Sequence, residues 1–228
     1  MRSTLKKILH PILKPFAHFY LRKVRTYSSR GLHLQIQPSV FHPGMYLSTN
    51  IFAEFALQLN LKDCVVLELG AGSGFISLLL AREGAQVTAS DINPIALATL
   101  RANAAANGLN VQVVESNLFT SFSPDDFDCI LINPPYYPQS AKNFTEAAFF
   151  CGVEFDYFHS LFTQLKDGLH RADCTIYMIL SEDCALETIH GIAQKYGFHW
   201  ERVRAVRKRR EWNYIYLIQR GTDGQNRE

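Results

Sequence analysis

No acidic side chain precedes Glu54, whereas Arg2, Lys6, Lys7, Lys14, Arg22, Lys23, Arg25 and Arg30 all do, so a formal net charge of only +2 conceals a strongly basic first segment. A second basic run follows at Arg202, Arg204, Arg207, Lys208, Arg209 and Arg210. Such runs suit nucleic acid, an anionic membrane surface or an acidic partner, and a solvated face explains either equally well. Also lacking is any uninterrupted apolar stretch of roughly 18 residues, which argues against a membrane-spanning helix. Cysteine is sparse and unpaired in pattern. Cys64, Cys129, Cys151, Cys174 and Cys184 form no CxxC, their number is odd, and they read as reduced, buried thiols of a cytosolic protein. No Cys or His cluster has ligand spacing, so no metal site is expected. Lys6 and Lys7 before an apolar run imitate a signal peptide, but Pro11, Lys14, Pro15 and His18 interrupt that run and no small-residue cleavage site follows. A cytoplasmic location is expected.

What is present is ordinary globular material, 47% apolar and 19% charged over 228 residues, enough for one α/β domain with a short extension. Residues 4–27 place Leu5, Ile8, Leu9, Ile12, Leu13, Phe16, Phe19 and Tyr20 near helical spacing among basic residues, predicting a basic amphipathic helix broken by Pro11 and Pro15. It could pack as a cap on the domain, or rest on a membrane surface or nucleic-acid backbone. An extended segment around His33–Gln37 leads to a helix capped by Ser48 or Thr49 and running to about Leu59.

From Cys64 strands and helices alternate. CVVLELG is a strand, SGFISLLLAREG a helix stopped at Gly84, and QVTASD a second strand. Asn93 with Pro94 then gives an N-cap and a first-turn proline for an alanine-rich helix ending near Gly108. VQVVES, FDCILIN and TIYMIL are further strands, with a helix from about Glu154 to Leu165 before the last and another after Ser181, where Glu182 and Asp183 favour the positive helix end. This alternation predicts a parallel, doubly wound sheet. HWERVRAV and EWNYIYLI, separated only by a turn-length basic stretch, must instead pair antiparallel. The standard dinucleotide-binding fold has no such hairpin.

ELGAGSG, residues 68–74, lies between the first strand and first helix, and Gly70, Gly72 and Gly74 allow a tight turn with close approach of a ligand to backbone. Asp91 ends the second strand, where a carboxylate can accept from both hydroxyls of a ribose. Each signal alone is also consistent with a structural turn; together they indicate a nucleoside-containing cofactor, nicotinamide dinucleotide or S-adenosylmethionine. The fourth strand distinguishes these, because it delivers Asn133, Pro134, Pro135 and Tyr136 to its carboxyl end, where ligands bind in such sheets. An amide or exocyclic aromatic nitrogen is a poor nucleophile because its lone pair is delocalised. The Asn133 side-chain oxygen and Pro134 carbonyl can each accept from that NH2, localising the pair and favouring the developing positive charge of the transition state. The prolines hold the acceptors rigid, and Tyr136 can stack on the planar group. The proton can leave after transfer, so no general base is needed.

With ELGAGSG, Asp91 and NPPY in this order, the chain resembles the class I S-adenosylmethionine-dependent methyltransferases of the small-domain branch, which includes glutamine methyltransferases of release factors and ribosomal proteins and amino-group RNA and DNA methyltransferases. The resemblance implies a mostly parallel seven-stranded Rossmann-like sheet with its last strand antiparallel. It implies that Glu68, Gly70, Ala71, Gly72 and Gly74 form the loop around the methionine part of S-adenosylmethionine, that Asp91 holds the ribose, that Ile92 lies against adenine and that Thr49 touches the amino-acid end. Asn133 would adjoin both cofactor and acceptor. At the position where the family often carries an acid for the adenine amino group this chain has Asn117, which can accept but adds no charge.

The expected organisation is a basic extension at 1–30, a segment and helix leading into the active site at 31–60, a methyltransferase domain at 61–220 and a polar tail at 221–228. The expected activity is N-methylation of a planar NH2, on a protein glutamine or a base of RNA or DNA, in a translation factor, ribosomal component or nucleic acid. A small-molecule methyltransferase, a nicotinamide-dependent oxidoreductase and a non-catalytic nucleic-acid-binding protein of the same fold are the alternatives. Phe41, Tyr46 and Tyr137 are candidates for an acceptor pocket or for core. His33, His42 and His159 read as packing or surface residues.

Overall fold

The computed structural model describes residues 23–221. It opens with a hairpin, β1 (Arg25–Ser29) and β2 (Leu32–Ile36), joined through Arg30 and Gly31. Both turn residues have positive φ, 51° and 77°, which matches the turn to the right-handed twist of the strands. Residues 25–27, expected as the end of a helix, therefore belong to β1; the rest of that expectation lies in residues 1–22, outside the described residues. Helical spacing loses here because β2 alternates buried and exposed side chains, with Leu32, Leu34 and Ile36 turned to the core, and β1 satisfies its backbone by pairing with it.

Helix α1 (Leu47–Ala56) follows, with Tyr46 at its N-cap and no side-chain cap. Ser48 and Thr49, expected as caps, instead face the cavity described below. The alternating unit is β3 (Val65–Leu69), α2 (Phe75–Arg82), β4 (Gln86–Asp91), α3 (Pro94–Ala106), β5 (Gln112–Glu115) and β6 (Cys129–Ile132). The Asn93 cap is formed as expected, its side chain accepting from the Ile95 N–H at 3.0 Å. Next come a short helix α4 (Phe144–Ala147), α5 (Asp156–Gly168), β7 (Thr175–Ser181), α6 (Leu186–Lys195), β8 (Phe198–Lys208) and β9 (Glu211–Arg220). Helix α6 begins later than Glu182 and Asp183 suggest. The Ser181 hydroxyl and carbonyl accept from the N–H groups of Asp183 and Cys184, closing a turn first and leaving Glu187 as the acid in the first helical turn.

The sheet order is β5-β4-β3-β6-β7-β9-β8. Strands β3 to β7 run parallel, while β9 is antiparallel to both β7 and β8, so the last strand alone is reversed. Central strands are nearly continuous apolar runs because both faces are covered. Val66, Leu131 and Ile179 pack under α1, α2 and the N-terminal hairpin, whereas Leu67, Ile130, Ile132 and Met178 pack under α5 and α6. All five cysteines are free, and Cys64 is only half-buried.

Candidate active site

A cavity of about 280 Å³ opens at the carboxyl ends of β3, β4 and β6. Parallel packing aligns those ends: Leu69 pairs with Ser90 and with Ile132, so the residues that follow each strand converge on one edge. Glu68, Gly70, Ala71 and Gly72 of the glycine turn, Asp91 and Ile92, Asn117, the NPPYY segment from Asn133 and Thr49 of α1 all line it. Gly74 does not. It caps α2 at φ +81°, and a Cβ there would lie 2.5 Å from Leu100 Cγ, so that glycine serves the packing of the turn on α3. A Cβ at Gly70 would meet nothing within 4 Å, and one at Gly72 only Phe41 Cβ at 3.8 Å. The missing side chains thus leave open space at the cavity wall, which a ligand touching backbone requires.

The electrostatics are one-sided. Among the described residues lining the cavity, Glu68 and Asp91 are the only charged groups, with no Lys, Arg or His. Glu68 accepts from the Ser77 N–H at 2.7 Å and from the Ser77 hydroxyl, yet burial raises its pKa from 4.5 to about 7, those hydrogen bonds opposing the rise and the charge of Asp91 adding to it. Asp91 accepts from the Gly72 and Asn93 N–H groups at 2.9 and 2.8 Å. Its pKa is also raised, because desolvation outweighs these two bonds. Such a cavity favours a cation over a pyrophosphate. The Thr49 hydroxyl is buried with no partner in the described structure. A glycine cradle, two carboxylates and an orphan hydroxyl fit the methionine, sulfonium and ribose of S-adenosylmethionine.

Asn133 directly follows β6, is half-buried, and its side chain makes no hydrogen bond to the described residues. The chain after it is held by backbone bonds from the Tyr136 and Tyr137 N–H groups to the Phe149 carbonyl at 3.1 and 3.0 Å. These bonds bring in residues that sequence reading missed. Phe149 joins Phe41 and Tyr46, themselves stacked with centroids 4.4 Å apart, in a cluster on the cavity wall; Phe150, Tyr157 and Ser39 are also among the lining residues. Burial pushes Tyr46 up to about 12. Phe41, Tyr46 and Tyr137, left open between pocket and core, all reach the cavity. His33, His42 and His159 do not. No His, Cys, Asp or Glu group among the described residues could hold a metal, and none of their helices is long and apolar enough to cross a membrane.

Residues 33–153 match the family model described as methyltransferase small domain. A Methanocaldococcus jannaschii protein provisionally named a protein N5-glutamine methyltransferase is 33% identical over 151 residues, 64% of this chain and 68% of that protein. The release factor glutamine methyltransferase of Geobacter sulfurreducens is 36% identical over 47% of this chain and 38% of its own length, and the ribosomal RNA small subunit methyltransferase C of Hamiltonella defensa is 33% identical over 50% and 34%. The chain thus spans well under half the length of the latter two. The fold is shared with a chain of the E. cuniculi Mtq2–Trm112 complex (TM-score 0.62, 19% identity, 80% of this chain and 99% of that one). It is shared also with the T. thermophilus 16S rRNA N2 G1207 methyltransferase (TM-score 0.60, 19% identity, 87% and 50%), solved with AdoMet and guanosine.

Proposed function

We propose, from the premise that the chain belongs to the methyltransferase small-domain family, that it transfers the methyl group of S-adenosylmethionine to a planar NH2 of a macromolecule. The observation that carries this reading is Asn133: a half-buried amide without a hydrogen bond to the described residues, in the same cavity as Glu68, Asp91 and the unpaired Thr49 hydroxyl. Bound S-adenosylmethionine supplies an electrophilic methyl group on a sulfonium.

The protein's own residues do the rest. Gly70, Ala71 and Gly72 present backbone to the methionine part, Thr49 gives its hydroxyl to the amino-acid end, and Glu68 balances the cationic charge. Asp91 accepts from the ribose, while Ile92 and Asn117 flank the adenine. The Asn133 oxygen and Pro134 carbonyl accept from the acceptor NH2, drawing it toward tetrahedral geometry as charge develops on nitrogen. Pro134 and Pro135 fix those acceptors. The Tyr136 ring packs against that of Tyr137, centroids 4.7 Å apart, which lets it serve as a planar stop. Phe41, Tyr46 and Phe149 would close the acceptor side and exclude water.

The names of the relatives support two acceptors, a glutamine amide and the exocyclic amine of a nucleic-acid base; both present an sp2 NH2. Membrane contact by the basic N-terminal segment concerns residues 1–22, outside the described residues. Incubating the protein with methyl-labelled S-adenosylmethionine and a cell extract, then digesting separately with nuclease and protease, tests the reading. Label is expected in one macromolecular fraction and to enter it about 100-fold more slowly with Asn133→Ala. Calorimetric binding of S-adenosylmethionine with no Asn133-dependent label in either fraction would overturn it.

A further inference from the structure

Away from the cavity, the feature with no assigned role is the face of the β8–β9 hairpin that carries Trp200, Trp212, Tyr214 and Tyr216. Antiparallel register sets Arg207 opposite Trp212, Ala205 opposite Tyr214 and Arg202 opposite Tyr216, with the register shifting between Arg202 and Arg204. The rings form a ladder: Trp212 and Tyr214 lie 6.3 Å apart and nearly parallel at 6°, Tyr214 and Tyr216 6.3 Å apart, and Tyr216 and Trp200 4.9 Å apart. Exposed guanidinium groups stand over it, Arg207 at 5.7 Å from Trp212 and Arg202 at 5.5 Å from Tyr214. At the tip, Arg209 and Arg210 both occupy positive φ, 47° and 67°, where Asn and Gly are the low-cost residues. Arg202, Arg207, Lys208 and Arg209 make no ion pair among the described residues, and the hairpin's acids are Glu201 and Glu211.

This tip lies at the carboxyl edge of the sheet that also bears the cavity. Asn213 pairs with Ser181 at the end of β7, the Glu182 N–H donates to the Trp212 carbonyl at 2.8 Å, and β7 adjoins the β6 strand that Asn133 follows. Tyr137 of the cavity wall feels the carboxylates of Asp183 and Glu211. Edge strands often carry cations simply to prevent edge-to-edge pairing. That role needs no half-exposed Trp212 and Tyr214 stacked between arginines, nor two arginines held in the left-handed region.

We propose that this face binds a single-stranded segment of RNA, with bases stacking on Trp212 and Tyr214 and phosphates against Arg202, Arg207, Lys208 and Arg209, and so leads the acceptor base to Asn133. The chemistry is that of stacking platforms lined by cations. A single strand of nucleic acid carries one anion and one planar base in every repeating unit, the combination that rings flanked by cations match. This inference rests on the N-methyltransferase reading.

The test uses the full chain and fluorescence anisotropy of a fluorescein-labelled oligoribonucleotide of mixed sequence, with a DNA counterpart, over a salt series. Trp212→Ala is expected to weaken RNA binding roughly tenfold, as loss of one stacked base does, and Trp212→Tyr to restore most of it. Arg207→Ala is expected to lower the slope of log affinity against log salt by about one. Melting temperature and calorimetric S-adenosylmethionine affinity should stay at wild-type values in all three variants. Three results overturn the inference: RNA affinity indifferent to these variants, preference for the DNA strand, or hairpin variants that lose label transfer to protein while RNA binding persists. All three leave cofactor binding, and the native protein's own loss of transfer on Asn133→Ala, as they were, so a failure here is distinguishable from failure of the underlying reading.

Discussion

An amide nitrogen acquires its attacking lone pair only as the transition state forms, so removing an acceptor aimed at it should alter rate and spare cofactor binding. For Asn133→Ala the expected loss is about 100-fold in kcat, the scale found when one pre-positioned partner of developing charge is deleted, with S-adenosylmethionine affinity unchanged by calorimetry. A parallel loss of affinity would instead make Asn133 a cofactor-binding residue alone. Asp91 should behave in the opposite way. Asp91→Asn puts an NH2 where one carboxylate oxygen accepts from Gly72 or Asn93, and cofactor affinity is expected to fall about 10- to 100-fold, the worth of one charged hydrogen bond. Unaltered affinity would exclude Asp91 from the ribose site. These residues were legible in the sequence because each stands at a strand end in a short contiguous motif. Phe149, Phe150 and Tyr157 were not: the Phe149 carbonyl accepts from the Tyr136 and Tyr137 N–H groups, the Cys151 N–H beyond Phe150 donates to the Tyr137 carbonyl, and the Tyr157 N–H donates to the Cys151 carbonyl, pairings that no local pattern announces. Gly74 was visible as a glycine, but its reason, the Leu100 side chain, lies a whole helix away.

Between elements, the least expected device is a pair of asparagines one turn apart, Asn103 on α3 and Asn107 at its C-cap. The Asn103 side chain accepts from the Gln35 N–H at 2.8 Å and donates to the Gln35 carbonyl at 3.0 Å, and Asn107 does the same to His33 at 3.0 and 2.9 Å. Two amides thus stand in for a neighbouring strand and satisfy alternate backbone positions of β2. Asn103 also donates to the Ser73 carbonyl behind the glycine turn, so the hairpin, α3 and the cavity wall share one side chain. Asn103→Ala leaves buried backbone groups unpaired and is expected to cost about 2–4 kcal/mol, while Asn107→Ala, at the exposed end, should cost about 1 kcal/mol. Denaturant unfolding of the two variants measures both. Equal, small losses would mean that apolar burial under Leu32 and Leu34 docks the hairpin unaided. The sequence made α3 readable through its cap and alanines, and it made the strand–helix alternation and the reversed last strand readable through period and turn length. It did not make β1 readable, because RTYSS takes its conformation from pairing with β2 rather than from its own pattern.

At the scale of the whole molecule, two carboxylates line the cavity with no Lys, Arg or His beside them among the described residues of its wall, and this couples folding to pH. Glu68 holds its proton more tightly folded (pKa about 7) than at its ordinary value of 4.5. Its contribution to stability is therefore complete below about pH 4.5 and is lost as pH rises through about 7, a change of up to about 3 kcal/mol; Asp91, raised in the same direction, adds with the same sign. A bound cation reverses the preference, because it interacts with the ionised carboxylate. The ligand-free protein should thus melt lower at pH 8 than at pH 5, and Glu68→Gln, which keeps an acceptor for Ser77, should flatten that trend. Affinity for S-adenosylmethionine should rise several-fold between pH 6 and 8 in the native protein, less in Glu68→Gln. S-adenosylhomocysteine, whose sulfur is uncharged, should show a weaker rise. Thermal melts and calorimetry across this range measure all three, and parallel curves for native and variant protein would show that Glu68 neither titrates in this window nor senses the charge of the ligand.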